Sequence, residues 1–588
     1  MCFKVIGEIL SFFRVTKRKK EVEMKRKKEL LVILSSLLVI VLSVSVAYFT
    51  TKILGTEKDI SVTSADLKVI FTSGSGTING TNIEPGWTSG ENTFTVKNES
   101  NGTYDYNIII KDLVNTFTTN GFLVYKITST DGGYNMTDFA DVPKSKTSKD
   151  TILAYNISID KDATHTYTVE YKYLESTEVD QSADMGKTLT GKIFITKGTE
   201  RPTLANQLLN DNPTINTRTD FSTPFTTNTA NTLYKATENG TDVYYFAGQD
   251  TESTPINNWV KFGKYKSDLI KYRGFKDATT TTDFIEYSTM EECTSASKYN
   301  YNCTAYKYAS AGDDIYWKII RTNADGSIKL LYSGIATNTS DGNIGMSEFN
   351  ISDDGPKYVG YMYGDSDTTL EEARTNTNDS AIKTYIDNWY KNNLTTYTNY
   401  LSNDVIYCND RELKTGAIYS TSSPTGYAFK ADERLITNKT PTYDCTNDND
   451  KFTVDASTGN GKLTYPIALM TADEIAYAGG VIGTNAPMWY YTNSNYASIV
   501  SIYGWWTMTP SLIKAQDRYD EDGNVMYDNL PYISSVTGPN FMGRLSAYPS
   551  GYVQPYSRPV TSLKSCVQWK SGDGSASNPY EIVENGGC

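Results

Sequence analysis

One uninterrupted apolar run, Leu30–Phe49, places the strongest constraint on how this chain folds. The run contains no charged residue, Pro or Gly, and about 20 residues at helical rise cross the core of a bilayer. Two clusters of Lys and Arg precede it, at 17–20 and 25–28. Since basic residues beside an apolar helix stay in the cytoplasm, everything after Phe49 is expected outside the cell. The sequence therefore predicts a basic cytoplasmic N-terminus over 1–29 and a membrane-targeting helix over 30–49.

Two fates of this helix fit the sequence. An uncleaved helix would anchor the chain in the cell membrane by a single pass, with the C-terminus outside. Alternatively, Ser45-Val46-Ala47 has the small-x-small pattern of a signal-peptidase site, and cleavage near Ala47 would secrete the protein. Met24 opens a segment that looks like the start of a signal peptide, so Met1 and Met24 are both candidate starts.

The composition after Phe49 excludes one class of partner. This part carries 45 Lys and Arg against 64 Asp and Glu, because ten of the 55 basic and four of the 68 acidic residues precede it. A nucleic-acid-binding protein needs a basic surface, so this strongly acidic chain is not expected to bind nucleic acid. Its 45 Tyr residues, with many Thr, Asn, Ser and Gly, are typical of extracellular β-proteins and adaptable binding surfaces.

The cysteines agree with export. Cys2 lies on the predicted cytoplasmic side, and the other six lie after residue 290: Cys293, Cys303, Cys408, Cys445, Cys566 and Cys588. Their even number suits disulfides, and the lack of a C-x-x-C pattern argues against zinc ribbons and thioredoxin-type sites. The pairing stays open. We favour sequential pairs that close short loops, with free thiols as the alternative.

Hydrophobic periodicity predicts a multi-domain organisation. Apolar and polar residues alternate with the period of a strand at Leu67–Phe71, Tyr104–Ile110, Tyr167–Tyr173 and Leu189–Thr196, so a two-sheet β-sandwich is expected over 55–198. The Thr- and Asn-rich stretch 199–232 is predicted to be an exposed linker that starts with a short helix at Thr203–Asn210. An α+β domain that binds a ligand is predicted over 233–588.

The start of the sandwich carries a family resemblance. Ala47–Thr50 (A-Y-F-T), Ile60–Phe71 (I-S-V-T-S-A-D-L-K-V-I-F) and Phe94–Ile108 resemble segments of TasA/camelysin-type proteins, which are Firmicute surface and biofilm-matrix proteins with a special signal peptide. The resemblance implies a similar sandwich and, as an alternative function, assembly into matrix fibres. The long extension after the sandwich departs from that family.

The α+β domain contains recognisable local signals. Ile315–Ser333 is expected to be a hairpin with its turn at Asp325-Gly326, and Ser380–Tyr400 is the best helix, with Ile382, Ile386 and Trp389 on one face. Thr471–Glu474 has the pattern of a capping box, and a hairpin is expected around Asp522-Gly523.

An ordered set of motifs in this domain resembles a domain of Firmicute surface proteins. The motifs are W-K-I-I-R, a W-Y helix, Y-P-I-A-L-M-T-A-D-E-I, W-W-T-M-T-P and R-P-V-T-S-L-K. We associate that domain with the C-type-lectin/formylglycine-generating-enzyme type of α+β fold. The resemblance implies an extracellular platform for a glycan or protein ligand, with a role in adhesion.

Catalysis is disfavoured by the histidine count. His165 is the single histidine, in a predicted strand of the sandwich and far in sequence from every Cys, so a surface position is expected for it rather than a place beside a nucleophile. No phosphate-binding loop and no H-E-x-x-H occurs. A glycoside hydrolase needs only two carboxylates about 5–10 Å apart and is the enzymatic alternative. Its candidate residues are Asp313, Asp314, Glu371, Glu372, Asp473 and Glu474.

The chain shows no cofactor motif and no assignable metal ligands. Asp517–Asp528 is acidic, but the EF-hand register would place Arg518 at its first position, so a hairpin turn is the better interpretation. Lectin-like domains often use calcium, which is compatible with the resemblance. The ligand-binding candidates are Trp505 and Trp506, because strand alternation should bury one indole and expose the other for stacking on a sugar. We therefore predict a non-catalytic surface or secreted protein.

Overall fold

The computed structural model describes residues 84–588 except 120, 281, 353, 501, 520–524 and 585–587, together with the backbone of four short strands before residue 84 and of residue 527. The chain divides into two compact units, Met1–Glu200 and Arg201–Cys588. In the part of the chain that the structure describes, strands make up 39 % and helices 13 %, so this part is mostly β. The helix predicted over 30–49 and the basic segment 1–29 lie outside the described residues. Within the described part, no helix is long and apolar enough to span a membrane.

The first unit is built from two sheets. Its described strands are β1 (Thr51–Lys52), β2 (Ile60–Ser64), β3 (Leu67–Ser73), β4 (Asn79–Gly80), β5 (Trp87–Thr88), β6 (Asn92–Asn98), β7 (Tyr104–Asn115), β8 (Leu123–Ser129), β9 (Ala140–Asp141), β10 (Ser145–Ile159), β11 (Thr164–Tyr173) and β12 (Leu189–Lys197). One sheet has the order β10-β7-β12-β1-β4, and the other has the order β2-β3-β6-β11-β8-β9, with β5 beside β11. Alternate residues of β6, β7, β11 and β12 meet in one buried core. The predicted sandwich architecture is confirmed in these described strands.

His165 differs from its prediction. It lies on β11 as expected, but it is only 5 % exposed, and its Nδ1 is 2.8 Å from the hydroxyl of Tyr106. Burial lowers the pKa of His165, and Asp131 and Asp160 only partly oppose this shift. The predicted surface position is therefore wrong, because the opposite sheet supplies a polar partner inside the core.

The second unit contains many short strands and a few helices. Its described strands are β13 (Thr214–Thr217), β14 (Thr232–Glu238), β15 (Thr241–Tyr245), β16 (Trp259–Lys264), β17 (Leu269–Phe275), β18 (Phe284–Tyr287), β19 (Tyr301–Ala309), β20 (Asp314–Thr322), β21 (Ile328–Gly334), β22 (Met362–Tyr363), β23 (Asn378–Asp379), β24 (Tyr407–Cys408), β25 (Tyr427–Ala428), β26 (Lys451–Phe452), β27 (Trp505–Tyr519), β28 (Val525–Val536), β29 (Leu545–Pro549), β30 (Val560–Leu563), β31 (Trp569–Ser571) and β32 (Glu581–Ile582). Its described α-helices are α1 (Leu204–Asp211), α2 (Met290–Ser295), α3 (Leu370–Ala373), α4 (Ala381–Asn393), α5 (Lys430–Asp432) and α6 (Ala472–Tyr477), and a π-helical turn covers Glu433–Asn438.

Three sheets organise the second unit. The largest has the order β13-β14-β15-β20-β21-β30, with β16 beside β20, and the predicted hairpin at 315–333 forms its centre. A four-stranded sheet, β25-β27-β28-β29, and a three-stranded sheet, β18-β17-β19, accompany it. Helix α4 begins after its cap Ser380 and buries Ile382, Ile386 and Trp389 in the main core, as predicted. The capping box at Thr471–Glu474 is also confirmed.

The predicted linker 199–232 is corrected by the structure. From Arg201 onward it belongs to the second unit. Leu204 and Leu208 of α1 are buried in that unit's core, one helical turn apart. Strand β13 pairs in parallel with β14, and the buried guanidinium of Arg218 donates hydrogen bonds to the carbonyls of Ala476 and Tyr477. The polar composition of the stretch concealed these anchoring contacts.

The six cysteines after residue 290 form disulfides, and the pairs are the sequential ones. Cys293 bonds to Cys303, Cys408 to Cys445, and Cys566 to Cys588. The favoured pairing is confirmed, and the alternative of free thiols is wrong for these six residues. The bonds close sequence separations of 10, 37 and 22 residues within the second unit.

Candidate functional site: an aromatic cleft beside the tandem tryptophans

Trp505 and Trp506 begin β27, and both are fully buried. Trp505 packs against the guanidinium of Arg558, which lies 4.6 Å from its ring. Trp506 donates a hydrogen bond of 2.7 Å from Nε1 to the carbonyl of Ser347. The expectation that one indole faces solvent is wrong, because both faces of β27 are covered by other aromatic rings: Tyr490 and Tyr491 lie beside Trp505, and Phe349 and Tyr548 lie beside Trp506. Neither indole offers a face to a ligand.

An open cleft lies directly beside these tryptophans. Its aromatic walls are Tyr503, Phe541, Tyr548 and Tyr552, which together we call the aromatic cleft. Phe541 is 47 % exposed and Tyr552 is 37 % exposed, so ring faces are accessible from solvent. The cavity volume is about 90 Å³.

Each ring is positioned by well-packed elements. Tyr548 lies on β29, with its ring 6.3 Å from the buried ring of Trp506 and 5.4 Å from that of Tyr552. Phe541 ends a 3-10 turn, and Met542 and Gly543 follow with φ values of 38° and 73°. This left-handed pair turns the chain back into β29, which brings Phe541 to the same cleft. Trp506 thus supports the cleft from below.

A glutamine fixes the hydroxyl groups of the cleft. Gln554 is 7 % exposed, and its Nε2 donates hydrogen bonds to the hydroxyl of Tyr503 at 2.9 Å and to Asp283 at 3.2 Å. Its Oε1 accepts a hydrogen bond from the hydroxyl of Tyr552. The Tyr503 hydroxyl in turn donates to the carbonyl of Thr282 at 2.9 Å. The side chains are therefore held in place before any ligand arrives.

The tyrosine hydroxyls of the cleft stay protonated at neutral pH. Burial, with the nearby Asp283 carboxylate, raises the pKa of Tyr503 to about 12. Burial also raises the pKa of Tyr552, assisted by Tyr548 and Asp283. Neutral phenols can both donate and accept hydrogen bonds. The cleft thus combines apolar ring faces with hydroxyl groups at its edge.

The six carboxylates considered for hydrolysis are dispersed. Asp313 accepts a hydrogen bond from the Ser310 backbone, and Asp314 forms an ion pair with Lys264 at the start of β20. Glu372 completes a capping box at the exposed start of α3, and Glu371 is its exposed neighbour. Asp473 and Glu474 are buried in α6. These carboxylates therefore occupy turn, ion-pair and capping positions.

Asp473 and Glu474 belong to a buried cluster of charges. The Oε1 of Glu474 accepts hydrogen bonds from Lys329 Nζ at 2.6 Å and Arg321 Nε at 3.2 Å. Asp473 receives a two-pronged contact from Arg434, whose Nη2 also donates to Asp410 at 2.5 Å. Because each charge has an opposite partner, this cluster fits a structural role that ties α6 to β20, β21 and the π-helical turn.

In the described part of the chain, no group of three or more His, Cys, Asp or Glu side chains is arranged to hold a metal ion. The predicted hairpin around Asp522 is supported by the antiparallel pairing of Tyr519 with Val525, while the turn at 520–524 lies outside the described residues.

Comparison with protein families, with curated proteins and with solved structures finds no match to this chain. The resemblances to TasA/camelysin-type and lectin-type proteins therefore stay predictions. The two tryptophans predicted from the sequence lie beside the cleft, but the residues that line the cleft were not predicted. A signal was present in Tyr548, Tyr552 and Tyr556, which recur at intervals of four in a segment with three Gly or Pro residues, at 549, 551 and 555.

Proposed function

We propose that this protein acts outside the cell and binds a sugar-containing ligand in the aromatic cleft, without catalysing a reaction. The observation that carries the proposal is the open cleft whose two tyrosine hydroxyls are fixed by Gln554. Binding energy at such sites is concentrated in a few aromatic side chains that are preorganised in a pocket.

The chemistry of the cleft favours a sugar ring. A pyranose presents apolar C–H groups on its faces and hydroxyls around its edge, which complements aromatic faces with a polar rim. The cavity of about 90 Å³ is far smaller than the roughly 300–1,000 Å³ of pockets that enclose small molecules. The cleft therefore suits one ring lying against the tyrosines, with the rest of a longer glycan in solvent.

Export is supported by the disulfides. Three disulfides in one unit indicate an oxidising compartment. The basic clusters followed by the apolar run Leu30–Phe49 predict the same direction, either as a membrane anchor or as a signal cleaved near Ala47. In this proposal the lectin-type resemblance of the second unit describes the binding domain, and the TasA-like sandwich carries it at the surface.

A glycan array probed with the purified chain tests the proposal. The wild type is expected to bind a defined set of glycans, and Tyr552→Ala and Phe541→Ala should each weaken that binding about tenfold or more. Tyr519→Ala is the matched control, since Tyr519 is 65 % exposed at the far end of β27. If folded protein binds no glycan, or if the cleft variants bind like the control, the proposal fails.

A further inference from the structure

An arginine without a counterion lies beside the aromatic cleft. The guanidinium carbon of Arg544 is 4.0 Å from the ring centroid of Phe541, which is a cation–π contact. Its Nε is buried and has no hydrogen-bond partner. Among the residues that the structure describes, no carboxylate forms an ion pair with Arg544.

The positive charge of this arginine has an electrostatic effect on a residue of the cleft. Burial raises the pKa of Tyr548, and the positive charge of Arg544 opposes that rise. The guanidinium is therefore close enough to influence a ring that forms the cleft wall. Stacking on Phe541 also fixes the plane of the guanidinium, which reduces the entropy lost when it binds a partner.

The acidic group that is hydrogen-bonded to Gln554 of the cleft has other partners. Asp283 accepts a hydrogen bond from Gln554 and lies 3.6 Å from Lys276 Nζ, so its charge is engaged elsewhere. The two charges thus have different roles: Asp283 accepts a hydrogen bond from Gln554, and Arg544 lies against Phe541 with its Nε unpartnered.

We propose that the aromatic cleft selects a sugar that carries a carboxylate, with Arg544 as the partner of that carboxylate. A planar guanidinium matches a carboxylate in a two-pronged hydrogen bond, and such charge-assisted bonds are stronger than neutral ones. A uronic or sialic acid residue could place its ring on the tyrosines and its carboxylate on Arg544. This inference rests on the proposed function, because it names the ligand class of the same cleft.

The experiment compares acidic glycans with neutral ones that have the same ring. Methyl glucuronide and methyl glucoside, and matched longer glycans with and without the carboxylate, are titrated into the purified chain. The acidic member of each pair is expected to bind about tenfold more tightly, and added salt should reduce this preference.

Arginine variants separate charge from folding. Arg544→Gln should weaken the binding of the acidic member of each pair more than that of the neutral member, so that the roughly tenfold preference is lost, while Arg544→Lys should keep part of the preference. Arg518→Gln is the control, because Arg518 is exposed and pairs with Asp528 far from the cleft. Circular dichroism checks that each variant is folded.

The outcomes distinguish the two proposals. If acidic and neutral glycans bind equally, or if Arg544→Gln keeps the preference, the selection of a carboxylate is overturned while sugar binding stands. If no glycan of either class binds to folded protein, both the proposed function and this inference are contradicted.

Discussion

Gln554 donates a hydrogen bond of 2.9 Å from Nε2 to the hydroxyl of Tyr503 at the floor of the aromatic cleft. The same carboxamide accepts a hydrogen bond from Tyr552 on the other wall. One buried side chain therefore fixes the orientation of two rings that contact a ligand in our account.

Replacing Gln554 by Met should weaken ligand binding without unfolding the protein. The variant keeps the volume of the side chain but loses the hydrogen bonds to Tyr503, Tyr552 and Asp283, so the two tyrosines are no longer held in place. We expect affinity for the array-identified glycan to fall about tenfold, as measured by calorimetric titration. Gln516→Met, at an exposed position of β27, is the control. Unchanged affinity in a folded Gln554→Met protein would show that the hydrogen bonds do not organise the cleft.

Because of Asp432, the second unit should be more stable near pH 4 than above pH 6. Burial raises the pKa of Asp432 from 3.8 to about 6, and Ser511 and Lys414 offset only part of this shift. The unfolded chain binds its proton only near pH 4, so folding becomes less favourable as pH rises from about 4 to about 6. The cost above pH 6 is about 2–3 kcal/mol.

The variant Asp432→Asn isolates this effect. The amide can still accept a hydrogen bond from Ser511, but it does not ionise. Denaturation measured from pH 4 to pH 7 should show little advantage of the variant near pH 4 and its full advantage above pH 6. A constant difference across this range would mean that Asp432 does not titrate with a raised pKa.

Removing the charge of Glu474 should destabilise the second unit strongly. Glu474→Gln leaves Lys329 buried without its carboxylate and deprives Arg321 of one of two acidic partners. Breaking one side of a buried ion pair costs about 3–5 kcal/mol, which urea denaturation would detect. Glu371→Gln, at an exposed position of α3, should change stability by less than about 0.5 kcal/mol. Equal stability of the two variants would contradict the structural role of the cluster.

The disulfides should differ in their contribution to stability. Replacing both Cys408 and Cys445 by Ala opens a separation of 37 residues, whereas removing Cys293 and Cys303 opens one of 10. Loop-closure entropy predicts losses of about 4 and about 3 kcal/mol for the two double variants. Thermal denaturation of the two proteins checks the order, and the reverse order would show that local packing outweighs chain entropy here.

Local signals predicted the elements that depend on nearby residues. Thr471 and Glu474 form the capping box of one helix, and Ile382, Ile386 and Trp389 define the buried face of α4. Each disulfide joins two cysteines that follow one another in the sequence, as Cys293 and Cys303 do. Strand alternation likewise predicted β11 and β12 of the sandwich.

The cleft depended on contacts between distant segments. Trp505 and Trp506 are both buried because rings from distant segments cover both faces of β27, Tyr490 and Tyr491 on one and Phe349 and Tyr548 on the other. Phe541 reaches Tyr503 only through the tight turn at Met542 and Gly543. In the same way, Arg218 of the predicted linker donates a hydrogen bond to the carbonyl of Ala476, which is distant in the sequence. Periodicity describes a strand's own two faces but not what later covers them.

A structure of the protein with its glycan bound tests the central claim most directly. The glycan with the highest affinity on the array would be co-crystallised with the purified chain. We predict a sugar ring in van der Waals contact with Tyr548 and Tyr552, within the aromatic cleft. A well-defined glycan bound elsewhere on the protein, with the cleft empty, would contradict the account.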